Sequence, residues 1–365
     1  MTPHSQVAGV DLLRFAAAVG VAFYHLSFCS WAIPASKAAT AAQQSIQPNL
    51  FSEPSKYGFL GVPVFFVISG FVIAISAESA TARSFFRSRA LRLIPAVLIC
   101  APVTVAVAVL TGVYSAKHGA LVLALCWLFP PYGPWPDGPY WTLPIELSFY
   151  WSVLLLLWRK QFGLLPYLAW ALASISAVYW TFPPDADLGL HRTFSLLLIH
   201  HGCYFAAGIF FYRLRKEIRL QDIAGLLLCL ITGPGGITAD TEAIVTDSGA
   251  PVSRDAALCV WLIAMAFIAA SVGWPSRLIS APAPWRRVAR LLGLATYPLY
   301  LIHDIVGNTA AGAFVRAGLS SEAAILATMC GLLGGSLFIA GIAEPMVRRS
   351  IAGRLPMRSA ALAGQ

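Results

Sequence analysis

The sequence predicts an all-α, polytopic membrane helix bundle. Hydrophobic residues make up 58% of the chain and charged residues only 11%. A soluble domain is about 45–50% apolar and about 25% charged, and one or two globular cores cannot hide so much apolar surface. The mean hydropathy of +0.72 excludes a disordered chain, because disorder needs low hydrophobicity and high charge. The apolar residues also fall in runs close to the roughly 20 that one span requires. Together these predict about ten transmembrane spans with the N- and C-termini cytoplasmic.

The first span is read over 8–30. It has no basic leader and no A-x-A site, so it is a retained helix and not a cleaved signal. A small, polar loop follows over 31–57. The second span covers 58–78, and a basic segment with Arg83, Arg87, Arg89 and Arg92 leads into the third, 93–114. Residues 119–130 are apolar but too short to cross, and read as re-entrant or interfacial. The turn PPYGPWPDGPYW opens the fourth span, 141–158, which Arg159 and Lys160 close. The fifth is 163–182, and the sixth, 193–212, runs into YRLRKEIR. The seventh, 221–233, is marginal in length and is followed by a polar, acidic loop over 234–253. The eighth is 255–274, the ninth 291–309 and the tenth 322–344, with Arg348 and Arg349 after it.

Charge supports this map. With the N-terminus inside, the inner loops take Arg83, Arg87, Arg89, Arg92, Arg159, Lys160, Arg213, Arg215, Lys216, Arg219, Arg277, Arg286, Arg287, Arg290, Arg348, Arg349, Arg354 and Arg358. Only Lys37, Lys56, Lys117, Arg192, Arg254 and Arg316 fall outside. That bias is the positive-inside rule, and it accounts for the net charge of +9 without nucleic acid as a partner. A crossing at 119–130 would invert every later loop. The seven cysteines include no CxxC pair, and most lie in apolar runs as small hydrophobes. Neither a disulfide framework nor a metal site is expected.

Polar residues at membrane depth are the candidate site. Asp11, Arg14 and His25 share a face of the first span. Arg14 and His25 are eleven residues apart, close to three turns and roughly 16 Å along the axis. An Asp11–Arg14 pair snorkelling at the inner surface would be a purely structural use of them. Glu146 and Tyr150 lie one turn apart at the head of the fourth span, where a carboxylate also suits a helix N-terminus. Arg89 and Arg92 either set topology or clamp phosphate, for which the guanidinium fork is well shaped. Tyr297, Tyr300, His303 and Asp304 occur in LATYPLYLIHDIV; an aromatic belt explains the tyrosines but not a His–Asp pair. Glu344 is expected to pair with Arg348 four residues on. There is no nucleophile elbow, P-loop, HExxH or dinucleotide fingerprint. Any chemistry is therefore direct transfer assisted by a His or Glu base.

Several segments, in order, resemble acyltransferase family 3, the integral membrane O-acyltransferases of carbohydrates. GVDLLRFAAAVGVAFYH is similar to that family's opening helix, with its Arg-x10-His at Arg14 and His25. GVPVFFVISGFVI is similar to its second span, and FFRSRALRLIPA to its Arg-x-x-Arg motif at Arg89 and Arg92. WTLPIELSFY resembles its W-T-L-x-x-E segment at Trp141 and Glu146, ATYPLYLIH its late tyrosine–histidine segment, and AEPM its closing segment.

The resemblance implies one membrane-embedded acyltransferase domain over 1–350, a short cytoplasmic tail over 351–365, and no fused SGNH domain. It implies transfer of an acyl group, most often acetyl, from cytoplasmic acyl-CoA to a hydroxyl of a carbohydrate or glycolipid, in a bacterial inner membrane. Acyl-CoA is then a co-substrate, and no cofactor is permanently bound. His25, Glu146 and Arg14 are the expected catalytic residues, with His25 as base and Glu146 orienting either His25 or the sugar. Arg89, Arg92 and Arg14 bind the donor. Asp11, Trp141, Tyr150, Tyr297, Tyr300 and His303 support the site or line the acceptor side. The competing reading is a secondary transporter in which intramembrane His, Asp and Glu relay protons, although no inverted repeat is evident.

Overall fold

The computed structural model describes residues 8–184, 189–273 and 283–354. Arg277, Arg358 and the tail beyond 354 lie outside these residues. The described residues form helices and no strands. Eight helices are long and apolar enough to cross a membrane: Ala8–Ala32, Ser52–Ala77, Ala82–Leu110, Gly138–Trp158, Phe162–Thr181, Leu220–Ser248, Arg254–Gly273 and Ser321–Ile351. Of the two further spans expected from sequence, 193–212 falls on two short helices, and 291–309 falls on a 20-residue helix, Ala283–Ile302, and the start of a second, Ile305–Arg316; neither is among the eight. Ala116–Cys126 is a helix too short to span.

In chain order the helices are α1 (Ala8–Phe23), α2 (Gly61–Ala77), α3 (Ala82–Leu110), α4 (Ala116–Cys126), α5 (Thr142–Trp158), α6 (Leu165–Thr181), α7 (His191–Leu196) and α8 (Gly202–Lys216). They continue with α9 (Leu220–Ser248), α10 (Arg254–Gly273), α11 (Ala283–Ile302), α12 (Ile305–Arg316), α13 (Ser321–Phe338) and α14 (Glu344–Arg354). A π-helical segment, Tyr24–Cys29, extends α1, and a second, Ile339–Ala343, joins α13 to α14. Such segments are rare and often mark functional sites.

Two boundaries differ from the sequence reading. α3 begins at Ala82, so the arginines stand on the helix itself and not on a loop before it. Thr81 starts it with a capping box: its hydroxyl accepts from Ser84 N at 3.2 Å, and Ser84 Oγ accepts from Thr81 N at 3.0 Å. A capped start stabilises the helix against its polar first turns. The residues read as an acidic loop, 234–253, are helical as far as Ser248. The Gly-Pro-Gly-Gly string there is a packing device. A Cβ on Gly233 would lie 2.8 Å from the Trp261 ring, one on Gly235 2.8 Å from Trp180, and one on Gly236 2.8 Å from the Tyr204 hydroxyl. Pro234 removes one backbone donor, which neighbouring helices tolerate in a membrane. Gly249, at φ +64°, ends the helix in the left-handed region, the usual place for a terminating glycine.

The centre of the bundle is the α2–α8 pair. Gly70 and Gly208 let the two backbones meet, since a Cβ at Gly208 would lie 2.0 Å from Val67 O and one at Gly70 2.1 Å from Phe205 O. Small residues at such crossings allow close van der Waals packing where lipid offers no hydrophobic gain. α8 is buried from Gly202 to Tyr212, which explains how a helix of only 15 residues holds its place. α1 packs beside α11 and α2, so its polar stripe faces the protein.

Candidate active site

His25 is the second residue of the π segment that extends α1. Its Nδ1 lies 3.6 Å from Asp304 Oδ2, and its ring centroid is 5.0 Å from that of His303. The side chain keeps 23% of its exposure while Asp304 keeps 4%. The pair is therefore a partly accessible imidazole backed by a buried carboxylate. With Nδ1 turned to Asp304, Nε2 is the nitrogen available to a substrate.

Asp304 occupies a break between α11 and α12. Pro298 and the interruption at 303–304 prevent one continuous helix, and irregular backbone at membrane depth is tolerated only where it is enclosed by protein or lines a cavity. Asn308 secures the turn: its Nδ2 donates to Asp304 O at 3.0 Å and to Oδ1 at 3.1 Å. Asp137, from the loop before α5, reaches the same place. Its Oδ1 accepts from Gly138 N at 2.8 Å and its Oδ2 from Ile305 N at 3.0 Å. Asp137 and Asp304 are both buried.

His303 differs from His25 in its partners. Its Nδ1 is 2.9 Å from Tyr300 O and 3.2 Å from Leu299 O, and its Nε2 is buried without a partner. Two carbonyls fix the proton on Nδ1.

Glu146 meets a different set. Its Oε1 accepts from Ser69 Oγ at 3.0 Å and from the Tyr150 hydroxyl. Of the two carboxyls, Asp304 is the one within 4 Å of His25. Arg14 is within electrostatic reach of Asp11, Arg92, Glu146 and Tyr150. Asp11 also lies within reach of Arg92 and Arg290. The eleven-residue separation thus divides the stripe into two levels, Arg14 with Glu146 and His25 with Asp304.

The Arg-x-x-Arg pair diverges. The Arg92 guanidinium lies over the Tyr297 ring at 5.8 Å, and its Nη2 reaches Gly293 O at 3.5 Å. Arg89 lies over Phe85 at 5.8 Å and donates to Ser88 Oγ at 3.1 Å. Arg89 and Tyr150 line a cavity of about 430 Å³, otherwise walled by apolar side chains such as Phe86, Leu147, Trp151 and Leu154. His25, Arg14 and Arg92 do not line it. Glu344 is buried, and its Oε2 accepts from Arg348 Nη2 at 3.3 Å, the partner expected from the four-residue spacing.

The remaining expected residues have other partners. Tyr300 shares a hydrogen bond with Thr142 Oγ1 at 3.3 Å and lies 5.7 Å from His303. The Tyr297 hydroxyl is buried without a partner. Trp141 is half-buried, 5.9 Å from the His201 ring. Sequence reasoning named Asp304 without giving it a role and missed Asp137, Asn308 and Ser69. Asp304 carried a signal, as an acid inside an apolar run. Asp137 was hidden in a Pro/Gly-rich turn. No group of three or more potential metal ligands occurs among the described residues.

Residues 7–343 match the acyltransferase domain of acyltransferase family 3. Peptidoglycan O-acetyltransferase OatA of Listeria monocytogenes is 28% identical over 81% of this chain and 49% of its own length. Exopolysaccharide production protein ExoZ of Rhizobium meliloti is 27% identical over 84% of this chain and 94% of its own. Nodulation protein 10 of Rhizobium leguminosarum is 34% identical over 30% of this chain and 35% of its own. The chain thus spans about half of OatA and about a third of Nodulation protein 10. No solved structure matches it.

Proposed function

The chain belongs to acyltransferase family 3, and on that premise we propose that it moves an acyl group, most simply acetyl, from acyl-CoA to a hydroxyl of an envelope carbohydrate. The observation that carries the reading is His25 with Nδ1 facing the buried Asp304 carboxyl. A relative named as a peptidoglycan O-acetyltransferase and another named for exopolysaccharide production support the carbohydrate acceptor. The setting is a multi-pass protein of a bacterial inner membrane. Its ten crossings are the eight long helices together with α8 and the broken α11–α12 pair, and both ends are cytoplasmic.

In this mechanism His25 Nε2 accepts the proton of the acceptor hydroxyl while Asp304 stabilises the imidazolium that forms. The oxygen attacks the thioester carbonyl, forming the new C–O bond. The C–S bond then breaks, and the coenzyme A thiolate takes the proton from His25. Arg92 and Arg14 hold the donor's phosphates and arm from the inner side, with Arg89 at the mouth, because guanidinium forks match phosphate oxygens. Glu146, fixed by Ser69 and Tyr150, sets the position of the reacting groups between the two levels. Trp141, Tyr297, Tyr300 and His303 wall the acceptor side. Coenzyme A enters and leaves as a co-substrate.

The test is free-thiol release from acetyl-CoA by purified protein in nanodiscs with pooled sugar acceptors. Acceptor-stimulated release should vanish in His25→Ala while the protein stays folded. Full release in that variant overturns the assignment of the base.

A further inference from the structure

We propose that Asp137 is a positioning residue, and that it and Asp304 share one proton so that the pair presents a single negative charge to His25. The inference rests on the role of His25 given above. An ionised carboxylate only accepts hydrogen bonds. Asp137 Oδ2 accepts from the N–H of Ile305, the residue after Asp304, and a Cβ on Gly138, the residue after Asp137, would lie 3.0 Å from Asp304 Oδ2, so the two carboxyls are crowded into one place. Both are buried, and two adjacent buried carboxyls do not both ionise.

The surrounding contacts show why two acids are needed where one would supply the charge. Asp137 Oδ2 accepts from Ile305 N at 3.0 Å, the first residue of α12. It therefore caps a helix from across the bundle, a position where an acidic oxygen is favoured by the exposed N–H groups. Its other oxygen accepts from Gly138 N at 2.8 Å. Asp137 thereby ties the loop before α5 to the α11–α12 break. Gly138 leaves room for this contact: a Cβ there would lie 3.0 Å from Asp304 Oδ2. Asp304 is then held from both sides, by Asp137 and by Asn308 Nδ2 at 3.1 Å.

The other titratable groups near the pair do not supply a second charge to His25. His303 faces it from the same break with Nδ1 on carbonyls. Tyr24 and Cys29 lie on its own helix, Cys29 within reach of Asp304. Tyr140 lies within reach of Asp137. Lys37 makes no ion pair with either acid: it donates to the Tyr114 hydroxyl at 2.7 Å, and that hydroxyl donates to Pro136 O at 3.2 Å.

The experiment reads the charge at His25 without donor or acceptor, so it stands or fails separately from the transfer reaction. Wild type, Asp137→Asn, Asp137→Ala and Asp304→Asn, each verified as folded in detergent, are labelled with diethylpyrocarbonate at pH 6, and the His25 peptide is followed by mass spectrometry. Only the neutral imidazole reacts. Asp304→Asn should speed His25 labelling by about threefold or more, because the single charge then moves to Asp137, beyond the 3.6 Å at which Asp304 faces Nδ1. Asp137→Asn should stay within about twofold of wild type, since the single charge remains on Asp304. Asp137→Ala, which frees Asp304 from its tie, should behave like Asp304→Asn. A purely structural clamp would also separate Asn from Ala, because only Asn keeps an acceptor for Ile305 N, so the shared proton is read from Asp137→Asn against Asp304→Asn. Equal acceleration by Asp137→Asn and Asp304→Asn would mean two charges and overturn the proposal, as would no change in Asp304→Asn. If Asp304→Asn does not fold, infrared difference spectra of wild type against Asp137→Asn decide the matter. A protonated-carboxyl band present in wild type and missing from the variant supports the shared proton, and its absence from both refutes it.

Discussion

Replacing Asp304 by Asn removes the charge behind His25 while keeping the shape of the side chain. At 3.6 Å and an effective dielectric of about 20, a unit charge pair is worth about 4–5 kcal/mol. His25 keeps 23% of its exposure, so solvent screens part of this, and about 2 kcal/mol is a fair share for stabilising the imidazolium. Each 1.4 kcal/mol or so is tenfold in rate, which gives a loss of roughly 30-fold in kcat. The assay is thiol release at saturating acetyl-CoA with the acceptor pool held fixed. His25→Asn and the double variant complete a cycle. Residues acting as one unit are not additive, so the double variant should be no slower than His25→Asn alone. A kcat for Asp304→Asn within about twofold of wild type, or a double variant slowed by the product of both losses, refutes the coupling.

Three other outcomes follow from the packing and charge. Gly208→Ala places a Cβ 2.0 Å from Val67 O and 2.5 Å from Phe71 N; because backbone must move, it should cost about 3 kcal/mol or more, read as a lower melting temperature in detergent. Arg213→Met leaves the buried Asp222, whose Oδ1 accepts from Arg213 Nε at 2.6 Å, without its cation; a loss of about 3 kcal/mol is expected, and Arg213→Met combined with Asp222→Leu should recover much of it in the same melt. Arg92→Ala should raise KM for acetyl-CoA by about tenfold or more, the scale of a charge-assisted hydrogen bond, whereas Arg89→Ala, turned toward the lateral cavity, should raise it less; equal effects would return both arginines to one clamp.

Much of the fold was legible because lipid imposes strong rules. Apolar runs and basic breaks located most helices, and spacing alone anticipated the Glu344–Arg348 pair. The failures have local causes. The 234–253 segment read as a loop because Gly and Pro punctuate soluble chains, whereas here the glycines admit Trp180, Tyr204 and Trp261. Length was a poor guide for α8, since a helix buried on all sides need not meet lipid. In the candidate site, periodicity separated Arg14 from His25 along one helix. It could not pair His25 with Asp304, because that contact joins residues nearly 280 positions apart through a helix break. Asp137 was invisible for the same reason: its partner at Ile305 is a backbone N–H on a distant element.

The two-level arrangement also bears on the transporter alternative. A proton relay needs ionisable groups that hand a proton along the bundle and a gradient to drive it. Here Tyr300 is bonded to Thr142 and the Tyr297 hydroxyl has no hydrogen-bond partner, and the level of Arg14 and Glu146 is rich in arginines, which do not release protons. Cations at the inner level suit an anionic donor better than a proton path. The two functions part in detergent, where no gradient exists: vectorial transport stops, while group transfer between two bound substrates continues. Thiol release by the detergent-solubilised protein, lost in His25→Ala, is the expected result. Its absence there, together with His25-dependent proton flux in sealed liposomes, would replace transfer by transport.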